Sequence, residues 1–301
     1  MGLLEAHAAL AGRKAVVVGG AHGIGRAISL ALADAGIAVA ACDFDAEALG
    51  PIGEELAARG VPWLAVHADV RDEGALDAFF DRVEAEFGTA DFLINVAGGV
   101  KSLPFTETSR EQNASEIRLN YGYILDAVRR AVPLIRKGAR GGSIISFTTI
   151  EAHRGAASYS VYAGAKAATT NFSRALAVEL AHEGIRVNCI APDTTPSRTS
   201  FASASPEFME KYLALPEEAR AAGMAMYIPQ KHPPSQEDLA NAVLMLVSDL
   251  TRSITGITLH VDGGTMASAG FIDWPYDNKW GPAPGVGAMA RLFGDGGQAG
   301  G

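Results

Sequence analysis

Residues 15–43, AVVVGGAHGIGRAISLALADAGIAVAACD, contain the pattern of a strand, a glycine-rich turn, a helix and a second strand. The β-branched run at 15–20 predicts the first strand, and the apolar residues after Gly23 recur with helical periodicity. The run at 37–43 predicts a strand that is apolar along its whole length. A strand without polar alternation is buried on both faces, so this stretch predicts a parallel sheet covered by helices.

The same alternation continues to residue 262. We predict further strands at 63–69, 91–97, 143–149, 185–191 and 257–262, and helices at 46–60, 73–87, 111–137, 159–183 and 235–249. Alternating strands and helices are typical of the doubly wound α/β class. We therefore expect a Rossmann-type parallel sheet of about seven strands with helices on both faces. Residues 1–268 are assigned to this single domain.

Two segments depart from the alternation. Residues 193–234 form a long stretch with prolines and with several Phe, Tyr, Met and Leu side chains. A segment of this length inside a compact domain is typical of a lid, so we expect a substrate loop. Residues 269–301 hold Trp274 and Trp280 among prolines and glycines. We predict an extended arm without regular secondary structure that docks on the protein, because large aromatic side chains need an apolar partner.

The composition disfavours several kinds of partner. The chain of 301 residues is 48% hydrophobic and 20% charged, as expected of a globular protein. A net charge of −9 disfavours nucleic acid, whose phosphates need a basic face. The sequence contains no run of about eighteen apolar residues, so we expect no membrane helix. The first residues lack the basic region of a signal peptide. Cys42 and Cys189 lie in apolar runs without metal-ligand spacing. We therefore expect buried inert thiols, no metal site and a cytoplasmic protein.

The turn GGAHGIG after the first strand indicates a dinucleotide site. Gly19, Gly23 and Gly25 allow the backbone to approach a pyrophosphate, and the following helix supplies free N–H groups at its N-terminus. Asp43 ends the second strand eighteen residues after Gly25, where a carboxylate binds both hydroxyls of an adenosine ribose. The same carboxylate repels a 2′-phosphate, so the pattern favours NAD over NADP. Asp43 could instead cap the next helix, although Asp45 is better placed to do so.

Together with motifs further along, these features resemble the short-chain dehydrogenase/reductase family in its shorter, single-domain form. The matching motifs, over about residues 10–266, are GGAHGIG at 19–25, HADV at 67–70, NVAGG at 95–99, Asn120 in RLNYGY, YAGAK at 162–166 and VDGG at 261–264. Their number and order carry the resemblance, since a lone Tyr-x-x-x-Lys pair is common on any helix. The resemblance implies an alcohol or carbonyl substrate and a nicotinamide cofactor.

The resemblance also implies a set of cofactor-binding residues. They are Gly19, His22, Gly23, Ile24, Gly25, Asp43, Phe44, Asp69, Val70, Asn95, Ala97, Gly98, Tyr162, Lys166, Pro192 and Thr195. Among them, Asp69 and Val70 are expected at the adenine, and His22 is the one residue of the turn that could tolerate a phosphate. Asp193 stands where the family has glycine, which leaves the assignment of Thr195 and Ser197 to the nicotinamide carboxamide open.

Tyr162 and Lys166 lie four residues apart, on one helix face, with only small residues between them. Hydride transfer from an alcohol needs a base for the hydroxyl proton, and a free tyrosine, with a pKa of about 10, is poorly suited to that task near neutral pH. The positive charge of Lys166 favours the phenolate, and its ammonium can also bond the nicotinamide ribose. The resemblance implies that Tyr162 is the general acid/base and Lys166 its partner.

Two further catalytic residues are implied. Thr149, thirteen residues before Tyr162, stands at the place of the family's usual serine and keeps a hydroxyl that orients the substrate oxygen. Its neighbour Thr148 lies on the opposite face of the strand and is expected to be structural. Asn120 matches the family's asparagine, thought to hold a water that relays protons to the lysine. A buried amide that braces the helix is compatible with that role.

The leading hypothesis is NAD-dependent hydride transfer between a secondary alcohol and its ketone. The alternative is an NADPH-dependent carbonyl reductase of the 3-oxoacyl type, which Asp43 disfavours, as does the absence of a neighbouring Arg or Lys to bind the phosphate. A non-catalytic dinucleotide-binding regulator would have no use for Tyr162 and Lys166. The apolar lid residues either line a pocket for a bulky apolar alcohol or pack against the core. The resemblance implies a homotetramer, with a dimer as the alternative, through helices 111–137 and 159–183.

Overall fold

Seven parallel strands form the central sheet in the part of the chain that the structure describes. The structure is a computed structural model and describes residues 2–196, 206–277 and 279–293. The strands are β1 (Lys14–Val18), β2 (Ala38–Asp43), β3 (Trp63–His67), β4 (Phe92–Asn95), β5 (Gly142–Phe147), β6 (Ile185–Pro192) and β7 (Thr258–Val261). Their order is β3-β2-β1-β4-β5-β6-β7. The order changes direction between β1 and β4, and in doubly wound sheets such a point opens a crevice at the carboxyl ends of the strands.

Helices cover both faces of this sheet. Their bounds are α1 (Leu3–Ala8), α2 (Gly23–Asp34), α3 (Ala46–Ala57), α4 (Glu73–Phe87), α5 (Arg110–Ile117), α6 (Tyr123–Gly138), α7 (Ser160–Leu180), α8 (Pro206–Ala214), α9 (Glu217–Tyr227), α10 (Gln236–Val247), α11 (Thr265–Ser268) and α12 (Val286–Phe293). Val16 and Val18 pack into one core cluster with α4, α6 and α7, whereas Val17 packs into the other with α2, α3 and α10. Burial on both faces explains the continuous apolar strands and confirms the predicted doubly wound α/β class.

The single helix predicted at 111–137 is wrong. Between α5 and α6, residues Arg118–Gly122 form a π-helical stretch that contains Asn120. The side-chain Nδ2 of Asn120 donates to the carbonyl of Glu116 at 3.0 Å, which is the carbonyl that its own backbone N–H would meet in an α-helix. A side chain that bonds this carbonyl competes with the regular ladder, and π-helical turns of this kind are frequent at functional sites.

The segment at 193–234 contains two helices, α8 and α9, in its described part. Residues 197–205, including Ser197, lie outside the described residues. Helix α9 ends at Tyr227, and the chain then turns back towards α10 through a positive-φ residue, Lys231. The predicted loop is therefore largely helical in the residues that are described.

The tail contains regular structure, so the prediction of an extended arm without it is wrong. Strands β8 (Ile272–Trp274) and β9 (Lys279–Gly281) pair antiparallel, and α12 follows. The carboxylate of Asp277 accepts the backbone N–H groups of Gly287 at 2.8 Å and Ala288 at 3.0 Å, which satisfies free donors at the start of α12. The sequence did not reveal this because the capping carboxylate comes from the hairpin, ten residues before Gly287.

The hairpin lies against the segment that follows α9. Lys231 forms an ion pair with Asp273 of β8, and its Nζ lies 4.9 Å from the ring centroid of Trp280. The indole nitrogen of Trp274 donates to the carbonyl of Gly281 at 3.0 Å and closes the hairpin. The two tryptophans of the tail therefore have partners on the tail itself and on the segment after α9.

Both cysteines are free and buried, as predicted. Burial raises the pKa of the Cys42 thiol to about 12 and that of the Cys189 thiol to about 11, so neither is a reactive thiolate near neutral pH. Among the described residues, no helix combines the length and the apolar character that crossing a bilayer requires.

Candidate active site

The glycine-rich turn joins β1 to the N-terminus of α2 in a way that leaves no room for side chains. A Cβ at Gly25 would overlap the carbonyl oxygen of Gly19, and a Cβ at Gly19 would lie 2.7 Å from the backbone nitrogen of Ala97. Gly19 also has a φ of +85°, which disfavours any other residue there. Ile24 packs against the core beneath the turn. The turn therefore presents bare backbone at a helix N-terminus, which is the requirement of a phosphate site.

Asp43 stands beside this turn at the end of β2. Its side chain is buried, with 4% of the residue exposed, and its Oδ2 accepts the backbone N–H of Ala21 at 3.0 Å. The cap of α3 is Asp45, as predicted, because its Oδ1 accepts the N–H of Glu47 at 3.0 Å. His22 lies 3.4 Å from the Asp45 carboxylate. Two carboxylates therefore border the place where a ribose would lie, and the histidine that could tolerate a phosphate faces one of them.

Asp69 and Val70, which are expected at the adenine, follow β3, and Phe44 follows Asp43 after β2. Phe44 is 64% exposed, and His67 Nε2 donates to its carbonyl at 3.0 Å. Asp69 forms a bidentate pair with Arg71, and this hydrogen-bonded guanidinium holds the pKa of Asp69 below its usual range. The side chain of Val70 is buried in the core, so only its backbone can face a ligand.

The end of β4 and the loop that follows it place three predicted residues, Asn95, Ala97 and Gly98, between the glycine-rich turn and α7. Asn95 is buried, its Nδ2 donates to Ser146 Oγ at 3.2 Å, and its Oδ1 has no hydrogen-bond partner among the described residues. The carbonyl of Ala97 accepts the hydroxyl of Tyr123 at 2.8 Å. A Cβ at Gly98 would lie 2.9 Å from Asn120 Oδ1 and 3.0 Å from Lys166 Nζ, so a larger residue would displace them.

These residues fit a nicotinamide dinucleotide. The bare turn suits a pyrophosphate, Asp43 suits a ribose diol, and the unpartnered oxygen of Asn95 and the Lys166 ammonium are polar atoms further along the same edge of the sheet. The order of these groups, from the end of β2 across β1 to β4 and α7, follows the topological switch point.

Tyr162, Lys166 and Thr149 come together at the carboxyl end of β5. Lys166 is buried, its Nζ donates to the carbonyl of Phe147 at 2.9 Å, and it lies 5.9 Å from the ring centroid of Tyr162. The hydroxyl of Thr149, the residue that follows the strand by two positions, is hydrogen-bonded to the Tyr162 phenol. Burial lowers the pKa of Lys166 to about 8.

The net direction of the Tyr162 pKa is opposite to the one expected from the spacing to Lys166. Burial raises the pKa of the phenol above its ordinary value, and the hydrogen bond with Thr149 lowers it by a smaller amount. The carboxylates of Glu151 and Glu116 raise it further. In the protein chain alone, burial and two nearby negative charges therefore outweigh the effect predicted for the lysine.

Asn120 braces the loop after β4. Its Nδ2 donates to the carbonyl of Gly99 at 2.8 Å, and its Oδ1 accepts the N–H of Gly99 at 3.1 Å. Its backbone carbonyl, exposed by the π-helical stretch, accepts Thr169 Oγ1 from α7 at 3.2 Å. The side chain therefore has the bracing contacts that were expected of a buried amide.

At the nicotinamide end, Pro192 ends β6 and pairs in register with Val261 of β7. Thr195 is buried and its hydroxyl donates to the carbonyl of Asp193 at 3.3 Å. The carboxylate of Asp193 accepts the N–H of Thr194 at 2.6 Å. Asp193 also lies close to Tyr227 of α9, where burial first and this carboxylate second raise the pKa of the phenol to about 12.

Four residues of the site were missed by the sequence analysis. Glu151 accepts the hydroxyl of Thr149 and also Arg154 Nη2 at 2.9 Å, and Arg154 in turn contacts the hydroxyl of Tyr227. Glu116 has one buried oxygen with no hydrogen-bond partner in the described part of the chain, and burial raises the pKa of this carboxyl. A signal existed for two of them: Glu116 precedes Asn120 by one helical turn, and Glu151 follows Thr149 by two residues.

Comparison with known proteins places this geometry in a family. Residues 19–266 match a family model described as enoyl-(acyl carrier protein) reductase. The chain is 34% identical to 2,3-dihydro-2,3-dihydroxybenzoate dehydrogenase of Bacillus subtilis over 84% of its length and 95% of that protein. It is 31% identical to 3-oxoacyl-(acyl-carrier-protein) reductase of Staphylococcus aureus over 84% of its length and 97% of that protein.

Solved structures agree. A 7α-hydroxysteroid dehydrogenase complexed with NADH and 7-oxo glycochenodeoxycholic acid superposes with a TM-score of 0.77 at 28% identity, covering 88% of this chain and 98% of that one. Carveol dehydrogenase from Mycobacterium avium in complex with NAD gives a TM-score of 0.78 at 26% identity, covering 85% and 98%. The chain belongs to the short-chain dehydrogenase/reductase family and is an oxidoreductase that acts on CH–OH donors.

Proposed function

We propose that the protein is an NAD-dependent enzyme that transfers hydride between a secondary alcohol and its ketone, with Tyr162 as general acid/base. The observation that carries the proposal is the meeting of Thr149, Tyr162 and Lys166 at the sheet edge that the bare glycine turn also faces. A phenol, a hydroxyl and an ammonium in contact are suited to bind one oxygen atom and move one proton.

A bound nicotinamide supplies the hydride acceptor for oxidation and the hydride donor for reduction. The chain's own residues manage the proton and the geometry. In oxidation Tyr162 Oη takes the hydroxyl proton of the alcohol, and in reduction it returns that proton to the ketone oxygen. Thr149 orients the same oxygen, Lys166 binds the ribose, and Asn120 holds the Gly99 backbone beside them.

The proposed preference for NAD over NADP rests on the carboxylates at the end of β2. Asp43 is buried against the turn and Asp45 lies beside His22, so a 2′-phosphate would meet two negative charges. The ligands of two related structures, NADH and NAD, agree with this choice. The 3-oxoacyl-(acyl-carrier-protein) reductase relative supports the alternative, a carbonyl reductase. The remaining cofactor residues, from Gly19 to Thr195, keep the roles that the family resemblance implies.

For the substrate we propose a secondary alcohol carried on a ring. Three relatives act on such compounds by name: a dihydrodihydroxybenzoate, a hydroxysteroid and carveol. The catalytic side of the pocket is polar, however, since Glu116, Glu151, Arg154 and Tyr227 surround Tyr162 and Thr149. A ring alcohol with a further polar group suits this surface better than the purely apolar alcohol expected from the lid residues.

We propose that residues 193–234 are the substrate lid and that the tail stabilises it. Tyr227, at the end of α9, reaches Arg154 at the catalytic centre. Lys231, four residues later, is held by Asp273 and Trp280 of the tail hairpin. The tail would therefore hold α9 over the pocket rather than contact the substrate itself.

The assembly and the compartment follow from the family and the composition. A homotetramer through the faces of α5–α6 and α7 remains our proposal, with a dimer as the alternative. Val178 of α7 is 81% exposed and Ile117 of α5 is 46% exposed, so both faces carry apolar surface that a second copy would cover. Two free, buried thiols fit a reducing compartment such as the cytoplasm.

A panel of ring-borne secondary alcohols with NAD or NADP tests the function, with formation of the reduced cofactor as the readout. We expect oxidation of at least one alcohol with NAD and little with NADP. Turnover of a 3-oxoacyl thioester with NADPH, and of no alcohol with NAD, would favour the alternative.

A further inference from the structure

Thr149 has one hydroxyl proton and two neighbours that need it. Its hydroxyl donates to the carboxylate of Glu151, and it is also hydrogen-bonded to the phenol of Tyr162. An ionised carboxylate only accepts hydrogen bonds. In the structure this proton is directed at Glu151, so that contact competes with the hydrogen bond that Thr149 can donate to the Tyr162 phenolate and that lowers the pKa of the phenol.

Glu151 is held in this position from three directions. Arg154 Nη2 donates to its Oε1 at 2.9 Å while Thr149 occupies Oε2. The backbone N–H of Glu151 donates to Thr149 Oγ1 at 3.4 Å, which closes a tight turn between the two residues. The guanidinium of Arg154 is itself fixed by the hydroxyl of Tyr227, and it lies 5.6 Å from that ring's centroid. Both oxygens of Glu151 therefore accept hydrogen bonds, Oε1 from Arg154 and Oε2 from Thr149.

The charged and titratable groups around Tyr162 are few. From α5 it faces Glu116, from the segment after β5 it faces Glu151, and next to it on the chain it faces Tyr159. Lys166 lies beneath its ring. Of the two carboxylates, only Glu151 also bonds Thr149. Glu151 therefore has two effects on the phenol, its negative charge and its hold on the threonine proton, whereas Glu116 has only the first.

We propose that Glu151 is a positioning residue that holds the Thr149 proton and so withholds it from the Tyr162 phenolate and the substrate oxygen. The proposal rests on the role of Tyr162 as general acid/base. A phenolate is stabilised by a hydrogen-bond donor, and Thr149 can become that donor only when its proton leaves Glu151. Glu151 thus shifts alcohol oxidation to higher pH.

The test is the pH dependence of kcat/KM for oxidation of the alcohol that gives the highest kcat/KM in the panel. Glu151→Gln places an amide donor beside Thr149 Oγ1 and frees the threonine proton. We expect the midpoint of the rising limb to move down by about one pH unit, with about a tenfold gain in kcat/KM below the midpoint. Glu116→Gln is the matched control, since it removes a similar charge without contacting Thr149, and its shift should be clearly smaller.

Glu151→Asp is the second variant. It keeps the charge but withdraws the carboxylate by one methylene, so loss of the Thr149 contact alone should lower the midpoint in the same direction. An unchanged midpoint in both Glu151 variants would overturn the proposal, and equal shifts in Glu151→Gln and Glu116→Gln would reduce the effect to charge and overturn it as well. A wild-type protein that oxidises no alcohol at any pH would instead refute the proposed function, and this proposal with it.

Discussion

At the scale of single residues, two carboxylates have opposite roles. Asp43 is buried at the end of β2 and accepts two backbone N–H groups, one on each oxygen, which leaves further lone pairs for the hydroxyls of a ribose. Glu151 is half-buried in the short turn that follows β5, and both of its oxygens already accept hydrogen bonds from the chain. The first is therefore available to a cofactor, and the second organises the catalytic hydroxyl.

The cofactor preference should depend on Asp43. Asp43→Ala removes the repulsion of a 2′-phosphate and the acceptor for the ribose, so kcat/KM with NAD should fall about tenfold or more while kcat/KM with NADP rises. Steady-state kinetics with both cofactors measure the ratio, and Asp34→Ala on the exposed end of α2 serves as a control. Efficient use of NADP by the wild-type protein would show that Asp43 has been assigned the wrong role.

Activity should require a hydroxyl group at position 149. Thr149→Ser keeps the oxygen beside Tyr162 and should retain most activity, whereas Thr149→Val keeps the shape and should lower kcat by about a hundredfold. Melting temperatures of the two variants check that each is folded. Full activity in Thr149→Val would move the orientation of the substrate oxygen to another residue.

The buried charge of Lys166 should lower the free energy of unfolding in the absence of cofactor. Burial lowers its pKa from 10.5 to about 8, so the folded chain binds this proton less tightly than the unfolded chain. The cost is full below pH 8, at about 3 kcal/mol, and fades between pH 8 and 10.5, where only the unfolded chain keeps the proton. Lys166→Met should therefore raise the free energy of unfolding at pH 7 but hardly at pH 10.

Urea denaturation at the two pH values measures that difference. Loss of the bond to the Phe147 carbonyl acts against the gain, so the pH dependence is the decisive quantity. An equal change in the free energy of unfolding at both pH values would mean that burial of the Lys166 charge does not destabilise the protein.

At the scale of elements, the sequence predicted the helices and strands that have a periodic apolar pattern. It missed the elements that depend on contacts between residues distant in the sequence. The strands and most helices were predicted from apolar periodicity, because each is a local pattern within a short stretch of sequence. The π-helical stretch at 118–122 arises from contacts of Asn120 with Gly99 and Glu116, and Gly99 is distant in the sequence. The tail hairpin depends on Asp277, which caps α12 across a turn, and on Lys231 of the lid. Such contacts leave no periodic trace.

We expect the tail to affect substrate binding through its support of α9. Truncation after Ala269 removes Asp273 and Trp280, the partners of Lys231, so the lid loses its outer support. We expect KM for the alcohol to rise several-fold with a smaller change in kcat, because the catalytic residues themselves are untouched. Lys231→Met in the full-length protein should reproduce part of the effect. Unchanged KM in both variants would leave the tail without a role at the pocket.

At the scale of the whole molecule, the motifs predicted the members of the site but not its electrostatics. The glycines and Asp43 were predicted from their places after strands, and the roles of Thr149, Tyr162 and Lys166 were implied by the family resemblance. Their pKa directions depend on burial and on Glu116 and Glu151, which approach from different elements. The pattern therefore indicates which groups react, while the fold determines the pH at which they do so.

The most direct test of the central claim is one comparison of the wild-type protein with Tyr162→Phe. Reduction of NAD is followed with the best alcohol of the panel, and binding of NADH is followed by its fluorescence in the same samples. We predict turnover in the wild type, a loss of at least about a thousandfold in Tyr162→Phe, and NADH binding that is nearly equal in both, because only the proton-transfer oxygen is removed. Turnover by Tyr162→Phe at close to the wild-type rate would contradict the assignment of Tyr162 as the acid/base.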